Sequence, residues 1–282
     1  EKSFTLRAAA ECGIPIPRSW DAAERMPAPT DLPLVCKPAD KAADALFRVR
    51  HVRTPAELEA LLRLVEGCED RYLWQEYCPG EGVGIETLIW EGQPVALFQH
   101  RRITENPATG GVSVVAEAEP LDPALAKMAV RLLRRLEWSG PAMVEFRCDR
   151  ASGRVALMEI NGRYWGSLAL PCLAGIDFPY YHWLLAHGRR PGAVPTGYTA
   201  GLQVRWTTGE FLRLKGLADD WAAGRIGLGT LGRETARFCS RMLNGAHDAM
   251  SVPGDRRPGF AELWFLAARR LRPARTRHAR PG

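Results

Sequence analysis

The chain has 282 residues, 46% hydrophobic and 25% charged, so it can bury a core and is not a disordered polymer. Its net charge of +6 is concentrated in the tail at Arg269, Arg270, Arg272, Arg275, Arg277 and Arg280; elsewhere acid and base nearly balance, which gives no ground for nucleic-acid binding. Seven scattered cysteines without a CxxC speak against a disulfide frame and a zinc knuckle and indicate reduced thiols in a cytoplasmic protein.

Residues 2–12 read as a short helix stopped by Gly13. Ile14-Pro15-Ile16-Pro17 then forces an extended path, because each proline fixes its own φ and drives its predecessor from the helical region. Leu34-Val35-Cys36-Lys37 is a short apolar strand ending on a lysine, and residues 46–52 form another after a loop of small residues. Thr54-Pro55-Ala56-Glu57 is a capping box with proline at the first helical position, opening a helix to Glu66. Residues 72–77 are a strand ended by Pro79-Gly80, and antiparallel strands follow over about 83–91, 94–104 and 112–117.

Asp122-Pro123 starts a helix to about Trp138, a hairpin covers 140–161, and Asp177 caps a helix through His187. Residues 200–272 read as mostly helical with a glycine-rich break at Gly224–Gly232. Strands and helices without regular alternation indicate an α+β fold. Phe260–Leu271 is an amphipathic helix that either packs on the protein or lies on a membrane surface, and no apolar run reaches the ~18 residues of a membrane span. No signal peptide is visible, although the chain opens on Glu1 and not on Met.

The hairpin carries the most information. With Ser152 at the centre of its turn, Glu145 and Glu159 are directly opposed. The even positions Ala142, Val144, Phe146, Cys148, Ala156, Met158 and Ile160 form an apolar face, and the odd face carries Glu145, Glu159 and Asn161, with Arg163 one step on. Opposed carboxylates repel. Either a divalent cation bridges them, with the Asn161 carbonyl as a third oxygen donor, or Arg147 or Arg163 neutralises a glutamate at a solvent-facing hairpin.

The order Lys2, Lys37, Gln75-Glu76-Tyr77, Glu145 and Glu159-x-Asn161-x-Arg163 resembles the ATP-grasp superfamily, in particular its biotin carboxylase and carbamoyl phosphate synthetase branch and the neighbouring carboxylate–amine ligases. The match covers about residues 1–190. The resemblance implies two α+β lobes with ATP between them. Residues 1–18 would be an N-terminal helix and linker, 19–78 the small lobe, 79–195 the large lobe with the metal site, and 196–282 a mostly helical extension.

It implies roles as well. Lys37 and Lys2 would contact the ATP phosphates; Glu76 with the backbone of Tyr77 and Cys78 would hold the adenine edge; Glu86, in preference to Glu81, would bind ribose hydroxyls. Glu145, Glu159 and Asn161 would hold Mg²⁺, with Mn²⁺ as a substitute. His100 and Arg102, from the basic strand His100-Arg101-Arg102-Ile103, would stand near the transferred phosphoryl group, and Arg163 would hold the substrate carboxylate or acyl phosphate. The loop 107–113 would present backbone N–H groups to the reacting carboxylate, and Tyr164-Trp165-Gly166-Ser167 would follow into the substrate pocket.

The glycine-rich loop that the family lays over the phosphates corresponds to Ala39-Asp40-Lys41-Ala42-Ala43-Asp44, which has no glycine and offers Lys41 as a partial substitute. The implied activity is an ATP- and Mg²⁺-dependent ligase that activates a carboxylate for attack by an amine. A nucleotide-binding module without turnover and an ATP-dependent carboxylase are the alternatives. The partners are small-molecule acids and amines, with no nucleic acid and with a homo-oligomer left open. Gly227-x-Gly229-x-x-Gly232 is set aside as a dinucleotide fingerprint, since it follows a helical stretch and not a strand.

Overall fold

Helix α1 (Lys2–Glu11) buries Leu6, Ala8 and Ala9, and the Pro15–Pro17 segment after it runs extended along the main sheet. The computed structural model describes residues 2–20, 25–39, 45–107, 111–195, 197–243, 246–251 and 254–271. They fall into two compact units, Glu1–Leu202 and Gln203–Gly282.

The first unit holds two antiparallel sheets. The smaller comprises β1 (Ser19–Trp20), β2 (Leu34–Pro38), β3 (Arg50–Val52) and, after helix α2 (Pro55–Leu64), β4 (Tyr72–Glu76), in the order β1-β4-β2-β3. Strand period puts Leu34 and Cys36 into a core with Trp20, Val52, Tyr72 and Trp74, and sends Val35 and Lys37 to the other face. The capping box forms as expected: the Thr54 hydroxyl accepts the Glu57 N–H at 3.2 Å and the Glu57 carboxylate accepts the Thr54 N–H at 3.1 Å. The strand expected over 46–52 shortens to Arg50–Val52. Before it the chain lies over Tyr72, whose hydroxyl accepts the Leu46 N–H at 3.0 Å and whose ring stacks on Phe47 at 4.7 Å.

The larger sheet holds β5 (Glu81–Trp90), β6 (Gln93–Asn106), β7 (Val112–Glu119), then, after α3 (Pro123–Arg135), β8 (Gly140–Asp149) and β9 (Arg154–Asn161). Within this unit their order is β7-β6-β5-β8-β9. Asp122 caps α3 by accepting the Ala124 N–H at 2.7 Å. One face of the sheet buries Val83, Ile85, Val144 and Phe146 against Ala9 and Ile14 and against Leu125, Ala129 and Leu132 of α3. Burying a side chain of this size is worth about 1.5–3 kcal/mol, so this face holds the unit together and frees the opposite face for charged groups.

Glu145 and Glu159 are register partners, but the ladder shifts one residue later, where Phe146 pairs Leu157. The even–odd alternation read from the sequence therefore fails toward the turn. Leu157 is fully buried in the core, while Met158 turns to the other face. At this bulge the Leu157 N–H bonds the carbonyl of Pro15 at 2.8 Å, tying the N-terminal linker to the hairpin.

Helices α4 (Ala169–Ala174) and α5 (Phe178–Ala186) follow, and Trp165 packs edge-on to Phe178 at 5.3 Å. The unit runs to Leu202, past the boundary expected at 195. Tyr198 donates its hydroxyl to the carbonyl of Glu119 at 2.6 Å, and Ala118 exchanges hydrogen bonds with Gly201 and Leu202.

The second unit consists of β10 (Gln203–Arg205), α6 (Thr207–Ala222), α7 (Leu228–Leu243), β11 (His247–Asp248) and α8 (Arg257–Leu271), with β10 and β11 parallel. The glycine-rich break is shorter than expected, because Gly229 and Gly232 lie inside α7. Phe211 of α6 meets Phe238 of α7 at 5.1 Å, and Arg213 pairs Glu234 at 2.8 Å.

Candidate nucleotide and metal site

The charged face of the larger sheet and the Val35–Lys37 face of the smaller one border a cavity of about 320 Å³. The register of the strands builds its floor in rows. One row crosses four strands: His100 pairs Gly84, Gly84 pairs Glu145, and Glu145 pairs Glu159. A second runs from Glu86 through Met143 to Asn161, and a third joins Gly82 to Arg147.

Two missing side chains make the floor. A Cβ on Gly84 would lie 2.3 Å from Cε1 of His100, and one on Gly82 would lie 2.8 Å from Cδ of Arg102. The basic side chains of β6 thus lie across β5 only because glycine stands there.

Arg102 spans the rows. It pairs with Glu145, contacts Glu105 at 3.0 Å, and donates to the carbonyl of Gly111 at 3.2 Å. Arg147 pairs with the other side of Glu105 at 3.1 Å and donates to the carbonyl of Gly80 at 3.0 Å. Burial raises the pKa of Glu145 above the usual carboxylate range; Arg102 opposes this and the facing Glu159 adds to it. So the like-charge repulsion expected at the hairpin is present and is offset first by Arg102 and, more weakly, by Arg147; the sequence had offered a bridging cation or, as the alternative, Arg147 or Arg163, and did not name Arg102 as the counter-charge.

His100 and Glu86 form a buried pair. Nδ1 of His100 lies 2.8 Å from Oε1 of Glu86, close but not aligned as a hydrogen bond, and Oε2 of Glu86 has no hydrogen-bond partner. Burial pushes the Glu86 carboxyl well up, against a 3.3 Å hydrogen bond from Ser167. Burial, with Arg102 adding, pushes His100 down to about 3. Both shifts favour uncharged forms.

Of the residues singled out in the sequence, Lys37, Tyr77, Cys78, His100, Arg102, Glu145, Glu159, Asn161 and Arg163 all line this one cavity. Glu86 and Glu76 do not. Glu86 is fully buried beside His100. The Glu76 carboxylate accepts the Arg18 N–H at 2.8 Å and pairs with Arg154. The Tyr77 N–H is taken by the carbonyl of Pro33 at 3.0 Å. Arg163 donates to the carbonyl of Tyr164 at 2.7 Å. Lys2 opens α1, with its side chain outside the described residues; Lys41 and positions 108–110 also lie outside them.

Residues not singled out also line the cavity: Val49, His51, Glu105 and Met158, together with Arg147, which had been weighed only as a counter-charge. Arg147 was legible as the odd-numbered neighbour of Glu145. Glu105 was hidden by register shifts after Arg102. His51 stands edge-on to Tyr77 at 5.8 Å, and neither ring nitrogen has a hydrogen-bond partner. Burial lowers its pKa, as do Arg53 and Arg147, with Glu105 opposing.

The donor set suits a hard cation. Two carboxylates face each other with an amide oxygen two residues along β9, which leaves coordination positions for phosphate oxygens. Among the described residues no group of three or more His, Cys, Asp or Glu side chains gathers to hold a metal.

A family model described as "ATP-grasp in the biosynthetic pathway with Ter operon" matches residues 69–210, half of the chain. The chain belongs to this ATP-grasp family. No curated protein matches it in sequence. Solved ATP-grasp folds are similar in structure. The biotin carboxylase domain of 2-oxoglutarate carboxylase from Hydrogenobacter thermophilus, solved with MgADP, ADP and bicarbonate, superposes with a TM-score of 0.54 at 15% identity, over 70% of this chain and 47% of that one.

An L-amino acid ligase from Bacillus licheniformis gives 0.51 at 23% identity, over 64% of this chain and 46% of that one. An ADP complex of N5-carboxyaminoimidazole ribonucleotide synthetase gives 0.56 at 16% identity, over 67% and 52%. The ATP-grasp chain therefore spans about half the length of these proteins.

Proposed function

We propose that this ATP-grasp chain is the nucleotide-binding core of an ATP- and Mg²⁺-dependent ligase that activates a carboxylate as an acyl phosphate for attack by an amine. The observation that carries the reading is the row of Glu145 and Glu159 with Asn161 beside it, in a cavity shared with Lys37, Arg102 and Arg163. A divalent cation bound there would neutralise phosphate charge and orient the γ-phosphate.

Lys37, from the end of β2, holds the phosphates as a point charge. Tyr77 and Cys78 border the adenine, and Met158 gives it an apolar contact. Arg163 holds the acid substrate by its carboxylate. A carboxylate oxygen attacks the γ-phosphorus and ADP leaves. The amine nitrogen then attacks the acyl carbon, phosphate departs with the C–O bond pair, and the nitrogen loses a proton to give an amide. Arg102 is placed to offset charge on the transferring phosphoryl group once it exchanges Glu145 for that group.

The rival reading, nucleotide binding without turnover, draws on the same Arg102–Glu145 pair, since a guanidinium already satisfies one of the two carboxylates. Release of ADP across panels of acids and amines with Mg²⁺ separates the two. Release that requires one acid and one amine supports the ligase. Bound ATP with no release for any pair supports the rival.

A further inference from the structure

His51 is a polar side chain whose hydrogen-bonding capacity the fold leaves unmet. It lies on β3, and its register partner on β2 is Val35. Both line the cavity, together with Lys37 and Val49. Among the described residues neither ring nitrogen of His51 has a hydrogen-bond partner, and both are shielded from water. Such a group carries a desolvation penalty with no return inside the protein. A molecule that enters the cavity and completes the ring's hydrogen bonding gives a reason for keeping it.

Register places the ring along the cavity. Leu34 pairs Glu76, while Lys37 pairs Leu73. Val35 thus lies toward the Glu76-Tyr77 end, two residues short of the lysine, or about 7 Å along the strand. His51 is level with Val35 and stands edge-on to Tyr77 at 5.8 Å. The facing charges are engaged with one another: Arg147 bonds Glu105 at 3.1 Å and the carbonyl of Gly80 at 3.0 Å. Burial, Arg53 and Arg147 lower the pKa of the ring from 6.5, with Glu105 opposing, so at neutral pH one nitrogen donates and the other accepts. A phosphate gains nothing from an uncharged ring and goes to Lys37. A nucleobase edge carries the matching groups, ring nitrogens that accept and, in adenine, an amino group that donates.

We propose that His51 is a nucleobase-contact residue, whose imidazole hydrogen-bonds the edge of a base seated against Tyr77. This rests on the reading of the cavity as a nucleotide site. It adds a side chain that recognises the base, where Lys37 and the metal ligands serve only the phosphates.

The test is calorimetric titration of the full chain, with Mg²⁺ present, by a non-hydrolysable ATP analogue and by inorganic tripolyphosphate. His51→Phe should weaken binding of the analogue by about fivefold or more, the scale of one hydrogen bond, and leave tripolyphosphate binding unchanged. Lys37→Ala should weaken both. His51→Gln, which keeps a donor and an acceptor, should recover part of the loss. Without nucleotide, the His51→Phe variant should unfold at an equal or higher midpoint, because an unmet polar group has gone. Should that variant fail to fold, the wild-type ring provides the second measurement. In protein carrying isotopically labelled histidine, the analogue should shift imidazole nitrogen resonances that tripolyphosphate leaves in place, and His51→Gln assigns them among the six histidines. An affinity for the analogue that Lys37→Ala lowers and His51→Phe does not would overturn this inference and spare the nucleotide site. Equal losses of analogue and tripolyphosphate binding in the His51→Phe variant would also overturn it. No binding of the analogue to the wild-type chain would overturn it together with the reading on which it rests.

Discussion

Gly84 stands opposite His100 on one side and Glu145 on the other, and the methyl it lacks would lie 2.3 Å from the His100 ring. The absence of one side chain therefore lets an imidazole from β6 lie across the floor of the cavity beside the paired glutamates.

Gly84→Ala should destabilise the protein by about 1–3 kcal/mol in urea unfolding, because the ring must move within a packed floor. His100→Ala in the same chain should recover much of that loss. A double-mutant cycle that finds the two substitutions additive would show that the contact is not what constrains position 84.

The bulge in β9 makes neighbours unlike. Leu157→Ala should cost about 2–5 kcal/mol, as for other fully buried leucines. Met158→Ala should cost under about 1.5 kcal/mol, since it lines the cavity and not the core, while weakening nucleotide binding. Equal losses of stability would contradict the flipped alternation.

Burial lowers the His100 pKa from 6.5 to about 3. Between those values the unfolded chain binds a proton that the folded chain refuses, so this group's contribution to stability falls as pH drops from 6.5 toward 3 and then levels off. His100→Asn should flatten the acid limb of the stability curve by about one proton per molecule. The raised Glu86 acts oppositely: the folded chain keeps a proton that the unfolded chain releases, and stability falls as pH rises above 4.5. That limb should remain in the variant. Unfolding midpoints measured across pH for both proteins check the pair of signs.

Lys37→Ala should weaken ATP binding by about tenfold or more, the scale of one charge-assisted contact, without altering the fold. Calorimetric titration with a non-hydrolysable nucleotide reads this directly; unchanged affinity would remove Lys37 from the site.

Much of this was legible because strand period and turn position are local properties. The Glu145–Glu159 pairing followed from the centre of one turn, and the cap of α2 from Thr54 and Glu57 alone. What escaped depended on contacts far along the chain. The bulge at Met158 accompanies a hydrogen bond from Leu157 to Pro15, and Glu105 comes level with Arg102 only through irregular pairing with β7. The counter-charge on Glu145 comes from β6, two strands away, so no reading of the hairpin alone could assign it to Arg102. Glu86 was expected, from the resemblance, to bind ribose hydroxyls, yet residues from later in the chain, His100 and Ser167, lie against its buried carboxyl.

The account turns on one cation held between Glu145 and Glu159. Titration of Mn²⁺ into the ATP-saturated protein, followed by electron paramagnetic resonance, measures that directly. Glu159→Gln should weaken the protein-bound Mn²⁺ by about tenfold or more, while the unfolding midpoint holds or rises because a like-charge contact has gone. Mn²⁺ bound equally well by the variant and the wild-type protein would contradict the site.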